Sequence, residues 1–283
     1  HARDELKMAR DVAVKKSLLD AGGGIALSKL SDITRRGGQP VIPLELTALY
    51  LCEGDSAAGT MKNGRDSRFH AIYALRGKTE NIWTKSLKRA LEFAEYSAIA
   101  TAIGAKVGPE FDLDAMRYGR VTITTDADHD GSHIRVLLIT FFYKFMRPMI
   151  EEGRLFIARP PLFRVRSKKN GEAVYVYSEE ERDHESATFG GAEKVDVQRF
   201  KGLGEMNDSQ MAETVLWLPP EVRVRKNVAA IQNLNLAMIT RNEIRVNVDD
   251  AKESERTLQL LMGDDAATRR KWLMSLPWHV EAE

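Results

Sequence analysis

Residues 121–134 read VTITTDADHDGSHI, an apolar, β-branched run that turns abruptly into alternating aspartates and a glycine. Val121 to Thr125 is expected to be a buried strand, because short continuous β-branched runs bounded by turn residues suit a sheet covered on both faces. Asp126, Asp128 and Asp130 then fall at its carboxyl end. Ser132 is expected to open a helix. Ile134, Leu137, Leu138, Phe141, Phe142, Phe145 and Met149 recur at i, i+3, i+4 spacing, and Gly153 stops the pattern.

A second stretch ends the same way. Leu46 to Cys52 is almost continuously apolar and switches at Glu53-Gly54-Asp55-Ser56. His70 to Leu75 and Leu155 to Ala158 read as further strands, the latter before Pro160-Pro161. Thr84 is expected to cap a helix carrying Leu87, Ala90, Leu91, Ala94, Ala98 and Ala102, with Gly104 ending it. Alternating strand and helix predicts an α/β fold, a Rossmann-like, mostly parallel central sheet with helices on both faces. Sites in such sheets form at the carboxyl ends of the strands, where both acidic groups lie.

Around this unit, assigned to 46–166, the sequence divides into an arm and linker over 1–45 and a mostly helical tail subdomain over 167–283. The arm holds a helix from Asp4 to Leu19 stopped by Gly22-Gly23-Gly24. Within the tail, residues 178–193 are polar and largely acidic and read as a loop or insertion. The sequence begins at His1 inside a helical pattern, so it is expected to be a piece of a longer protein.

Of the 283 residues, 43% are hydrophobic and 29% charged, which fits a soluble globular chain and excludes a disordered or fibrous one. Forty-two Lys and Arg against forty-one Asp and Glu leave a net charge of +1, so affinity for nucleic acid has to come from local patches. Cys52 is the single cysteine, which rules out an internal disulfide framework and favours an intracellular setting. No apolar run reaches the roughly 18 to 20 residues of a membrane span, and no signal peptide opens the sequence; a cytoplasmic location is expected.

Four carboxylates at two strand ends repel one another unless something positive binds them. A hard divalent cation with oxygen ligands, Mg²⁺ before others, is the economical answer for Glu53, Asp126, Asp128 and Asp130. The competing reading makes them helix caps and solvated turn residues. An EF-hand loop beginning at Asp126 fails, because its twelfth position is Leu137 where a bidentate Glu is needed. Gly77-Lys78-Thr79 is no phosphate-binding loop either, since the required earlier glycine is Ile72. Arg76 and Lys78 remain as a basic pair at a strand end, facing either a phosphate or solvent. Arg154, Arg159, Arg164, Arg166, Lys168 and Lys169 form a basic stretch read either as the lining of a DNA groove or as a solvated edge strand.

Glu53-Gly54-Asp55-Ser56-Ala57 with Asp126-Ala127-Asp128-His129-Asp130-Gly131-Ser132-His133-Ile134 resembles the Toprim domain of type IIA DNA topoisomerases, within the B-subunit family of bacterial gyrase and topoisomerase IV. Leu75-Arg76-Gly77-Lys78, Arg159-Pro160-Pro161-Leu162, Gln198 through Met206 (QRFKGLGEM), and Leu261-Met262-Gly263-Asp264-Asp265 with Arg269-Arg270 extend the likeness over nearly the whole chain. The chain departs from the family's usual pattern at Ala58-Gly59-Thr60-Met61, at Ala74 and at Thr79-Glu80, none of them a carboxylate of the cluster.

The resemblance implies transient cleavage of double-stranded DNA by a tyrosine of a partner A subunit, in an A2B2 heterotetramer. It makes Glu53, Asp126 and Asp128 catalytic ligands of Mg²⁺, with two ions expected and Mn²⁺ or Ca²⁺ able to substitute in binding. Asp130 is implied as a further ligand, and Glu53 as a group that moves a proton during religation. Lys201 and Gly202 are placed near DNA, together with Arg76 and Lys78. ATP enters only through an N-terminal domain absent from this sequence, and the expected location is the cytoplasm, on the nucleoid. Arg117-Tyr118 mimics the dipeptide at the A-subunit nucleophile but is read as structural, and Trp83 and Tyr73 are read as packing residues. Two alternatives stay open: a catalytically silent Toprim scaffold that docks DNA and partner, and a nuclease or primase-like Toprim enzyme acting alone.

Overall fold

The computed structural model describes residues 28–223 and 228–276, so the expected Asp4–Leu19 helix and its glycine stop lie outside the described residues. Besides a short hairpin of Arg35–Arg36 with Gln39–Pro40, the strands are Leu30–Ser31 (β1), Ala48–Glu53 (β2), His70–Leu75 (β3), Arg120–Thr124 (β4), Leu155–Ala158 (β5), Phe163–Ser167 (β6), Ala173–Val176 (β7), Val195–Arg199 (β8) and Glu243–Arg245 (β9). Six form one sheet in the order β1-β3-β2-β4-β5-β9. The four inner strands are parallel, as their unbroken apolar runs require. The two edges are antiparallel: Leu30 faces Tyr73, and Glu243 faces Ala158.

Alternation along β2, β3 and β4 divides the core in two. Leu49, Leu51, Ala71, Tyr73, Val121 and Ile123 face one side, and Tyr50, Cys52, Ile72 and Ala74 face the other. The second side is covered by Ala57 and Met61 of the helix Asp55–Gly64 (α1) and by Phe200, Leu203, Met206, Met211 and Val215 of the tail. The tail therefore forms part of one wall of the sheet's core.

The helix expected from Thr84 is two helices. Leu87–Leu91 (α2) is capped by Ser86, whose Oγ accepts from the Arg89 amide, and Ala94–Ile103 (α3) follows after a break at Glu92-Phe93. The Glu92 and Phe93 amides bond to the carbonyls of Arg89 and Ala90, tightening the last turn of α2, and apolar spacing alone does not register such a turn. Gly104 ends α3 in the left-handed region, as expected.

The helix assigned to Ser132 starts three residues earlier. It runs His129–Phe145 (α4), with Asp128 as its cap. It stops short of Gly153 because Pro148 lacks an amide hydrogen and its ring opposes the carbonyl four residues back, so the chain restarts as Arg147–Glu151 (α5).

Residues 178–193, expected as a loop, contain the helix Glu179–Thr188 (α6). Ser178 caps it by accepting from the Glu181 amide at 3.1 Å, and three glutamates fill the first turn, where the helix dipole favours them. The edge-strand reading of the basic stretch is also corrected. β6 is the middle strand of a separate antiparallel sheet, order β8-β6-β7, with a partner on each side. The longer helices that follow in the tail are Asp208–Glu213 (α7), Ala251–Met262 (α8) and Ala266–Ser275 (α9), and Leu258 and Met262 of α8 pack into the first side of the core.

A charged group lies inside the sheet. The side chains of Arg120 on β4 and Glu243 on β9 are each 1% exposed. Arg120 Nε donates to Glu243 Oε2 at 3.0 Å, and the Tyr50 hydroxyl donates to Oε1 at 2.6 Å. His70 stands edge-on to Tyr50, and burial pulls its imidazole down to about 3, so it sits there neutral. Among the described residues no helix is long and apolar enough to cross a membrane.

Candidate metal centre

Parallel pairing decides where the acids meet. Cys52 on β2 pairs with Thr124 on β4, so Glu53 ends its strand beside the start of the turn that carries Asp126. The Asp126 amide donates to Glu53 Oε2 at 3.3 Å. Asp126 is then held from two further directions. Its Oδ1 accepts from the Leu203 amide at 2.7 Å, and a Cβ at Gly202 would lie 2.8 Å from its Oδ2. Behind it, a Cβ at Gly131 would stand 2.2 Å from its carbonyl oxygen. Only glycine allows both approaches. Asp128 Oδ1 caps α4 by accepting from the Gly131 amide at 2.7 Å.

Glu53 Oε1, Asp126 Oδ2 and Asp128 Oδ2 each remain without a hydrogen-bond donor among the described residues. Burial raises the Glu53 carboxyl above its usual range, and the charges of Asp126, Asp128 and Asp130 add to the rise against the Asp126 amide. Carboxylate oxygens at the carboxyl ends of adjacent strands are the ligand type a hard divalent cation takes. Among the described residues, however, no three His, Cys, Asp or Glu side chains are grouped tightly enough to enclose a metal ion as they stand. Cys52 is no ligand: burial first, then Asp126 and Glu53, push its thiol up and keep it a neutral packing residue.

Asp130 is differently engaged. It is exposed and accepts the Lys78 ammonium at 2.6 Å, and that hydrogen bond and charge hold its carboxyl below the usual range. Lys78 thus faces an acid in this structure, and its charge stands beside the cluster. Lys78→Met is expected to tighten Mn²⁺ binding by about threefold, the scale of one unit charge several ångströms away in water, read by calorimetric titration. Unchanged or weaker binding would contradict that placement.

Of the other residues singled out in the sequence, Lys201 and Gly202 lie on the loop that reaches Asp126, and the exposed Lys201 uses its amide on Glu205 Oε2 at 2.9 Å. Arg76 is exposed at the end of β3, its amide donating to Glu95. Within the basic stretch, Arg166 reaches the Gly171 carbonyl and Lys168 pairs with Asp196 at 3.7 Å. Tyr118 is buried, its hydroxyl donating to Asp32 at 2.7 Å, and Tyr73 and Trp83 are buried in the core. Sequence reasoning did not find the Leu203 amide, a main-chain donor. The paired glycines of FKGLGEM were the available signal, marking a backbone that approaches something closely.

Comparison with known proteins places these elements. The Toprim domain family matches residues 48–160, and the family described as the DNA gyrase B subunit carboxyl terminus matches 192–235. The DNA gyrase B subunit of Thermotoga maritima is 39% identical over 272 residues, covering 96% of this chain and 38% of the relative. That of Thermus thermophilus is 40% identical over 276 residues, 96% of this chain and 39% of the relative. That of Archaeoglobus fulgidus is 43% identical over 227 residues, 80% of this chain and 32% of the relative. The chain thus spans less than two-fifths of the length of these relatives.

Proposed function

The chain belongs, by its Toprim domain and its carboxyl-terminal region, to the gyrase B family of type IIA topoisomerase subunits, and from that premise we propose that its acidic edge is the metal-binding half of a DNA cleavage and religation site. The observation that carries this reading is the meeting of Glu53 and Asp126 at the ends of adjacent parallel strands, with Asp128 at the following helix cap and one free oxygen on each.

Glu53, Asp126 and Asp128 would hold Mg²⁺, which when bound supplies neutralisation of charge on the phosphate and on the attacking or leaving oxygen. The protein's own part is orientation. The Leu203 amide and the Gly131 amide fix Asp126 and Asp128, leaving their second oxygens for a ligand. Burial of Glu53 and its acidic neighbours disfavour an uncompensated negative charge on its carboxyl, so a cation bound there would relieve that repulsion. Lys201 and Arg76, both exposed, contact phosphates of double-stranded DNA, giving sequence-independent, salt-dependent binding. The attacking tyrosine comes from an A subunit in an A2B2 assembly, and ATP coupling comes from a part of the protein beyond this chain.

Reconstitution with a cognate A subunit, supercoiled plasmid and Mg²⁺ tests the reading. Cleaved complexes that disappear with chelator support it, and their absence overturns it. A second reading is favoured by the Lys78–Asp130 ion pair and by the lack of a closed cage among the described residues: a silent scaffold that docks DNA and partner alike with or without Mg²⁺.

A further inference from the structure

The antiparallel register of β9 on β5, Glu243 opposite Ala158, carries Arg241 and Asn242 past the carboxyl end of β5 beside Arg159. The Arg159 amide donates to the Asn242 carbonyl at 2.9 Å, which fixes the two segments together. Each arginine lies on an aromatic ring. The Arg159 guanidinium carbon is 4.5 Å from the centre of the Tyr177 ring, and that of Arg241 is 3.4 Å from the centre of a Trp217 ring. Both arginines are exposed, both rings are half-buried, and neither guanidinium has an ion-pair partner among the described residues. Glu181, the acid beside Tyr177, accepts from the Tyr177 amide at 2.6 Å. Burial raises the Tyr177 phenol while Arg159 and Arg241 both pull it back, so the two charges act on one spot.

A guanidinium stacked on a ring has lost its rotamer freedom but keeps its N–H edge, and that planar fork matches the oxygens of a phosphate. Position adds the rest. β2, β4 and β5 are consecutive parallel strands, so Glu53, Asp126 and Arg159 leave the sheet at the same edge. Neighbouring strands are about 4.8 Å apart, so Arg159 stands about one strand spacing from Asp126, within reach of the next phosphate of any backbone that lies at the acids. The acids themselves repel a phosphodiester, so an adjacent pair of unneutralised cations is what would bring one there.

We propose that Arg159 and Arg241, held on Tyr177 and Trp217, form a second phosphate site that clasps the DNA strand whose neighbouring phosphate lies at the acidic cluster. This rests on the DNA-binding reading given above, and the test separates the two. A fluorescein-labelled duplex is titrated with the full chain between 50 and 200 mM salt, for the unaltered chain, Arg159→Gln, Arg241→Gln, the double Gln variant and the double Lys variant. At about 0.1 M salt each Gln substitution is expected to weaken binding about eightfold, and to lower the slope of log K against log salt by about 0.9, the share of one phosphate contact. The double Lys variant keeps both charges and should keep the slope, which separates lost contacts from lost folding. Unchanged slopes in the Gln variants, or a slope lost equally in the Lys variant, overturn the phosphate site while leaving the DNA reading intact. No salt-dependent binding by the unaltered chain removes that reading, and the site with it.

Discussion

Asp126→Ala is expected to reduce Mg²⁺-dependent DNA cleavage by the reconstituted complex at least 100-fold, the scale on which removing one preorganised electrostatic group acts. Asp126 carries this much because it is the joint of the site. It touches Glu53 through its amide, the tail through its Oδ1, and leaves its Oδ2 free. Alanine removes the free oxygen and the acceptor of the Leu203 amide together. Asp126→Asn separates these roles, since a side-chain amide oxygen still accepts from Leu203 but brings no charge. Loss of cleavage in both variants assigns the effect to the carboxylate charge. Full cleavage in the Asn variant would show that the tail contact alone is what matters, and the metal assignment would fall.

Glu243→Ala is expected to destabilise the fold by about 3–5 kcal/mol, the cost of leaving a buried charge without its partner. Arg120 is 1% exposed, and Glu243 is the carboxylate it meets. One Arg120 nitrogen, Nη1, already has no partner among the described residues, so little else is at hand to take the charge. Thr122 loses its acceptor on Glu243 as well, and Tyr50 keeps only the longer contact to the Val215 carbonyl at 3.5 Å. Urea denaturation of the chain and its variant measures the difference. Combining Arg120→Met with Glu243→Leu should recover much of the loss, because a buried pair replaced by apolar groups of similar size is often neutral. A change below about 1 kcal/mol in Glu243→Ala would mean that water reaches Arg120 and that β9 is not locked into the sheet.

These two residues also mark where the sequence stopped being legible. Strands 70–75 and 155–158 could be read in full, because buried parallel strands announce themselves as unbroken apolar runs between turn residues. The acids at the ends of two such runs were readable for the same reason. The partner of Arg120 was not, since it lies 123 positions away on a three-residue edge strand with no apolar pattern of its own. The α6 helix was written in Ser178 and Glu181, a capping signal that the acidic composition of the segment outweighed. Lys78 was legible as a cation at a strand end; that it faces Asp130 depends on how α4 begins, which Asp128 sets ahead of Ser132. Nor could Arg241 be joined to Arg159 before the register of β9 was known.

Calorimetric titration of the chain with Mn²⁺, without DNA or partner, tests most directly whether Glu53 and Asp126 act together on a cation. Saturable binding that weakens at least tenfold in both Glu53→Ala and Asp126→Ala is the expected result, a loss on the scale seen when a metal site is disturbed. Equal affinity in the unaltered chain and both variants, or no saturable binding at all, would contradict it.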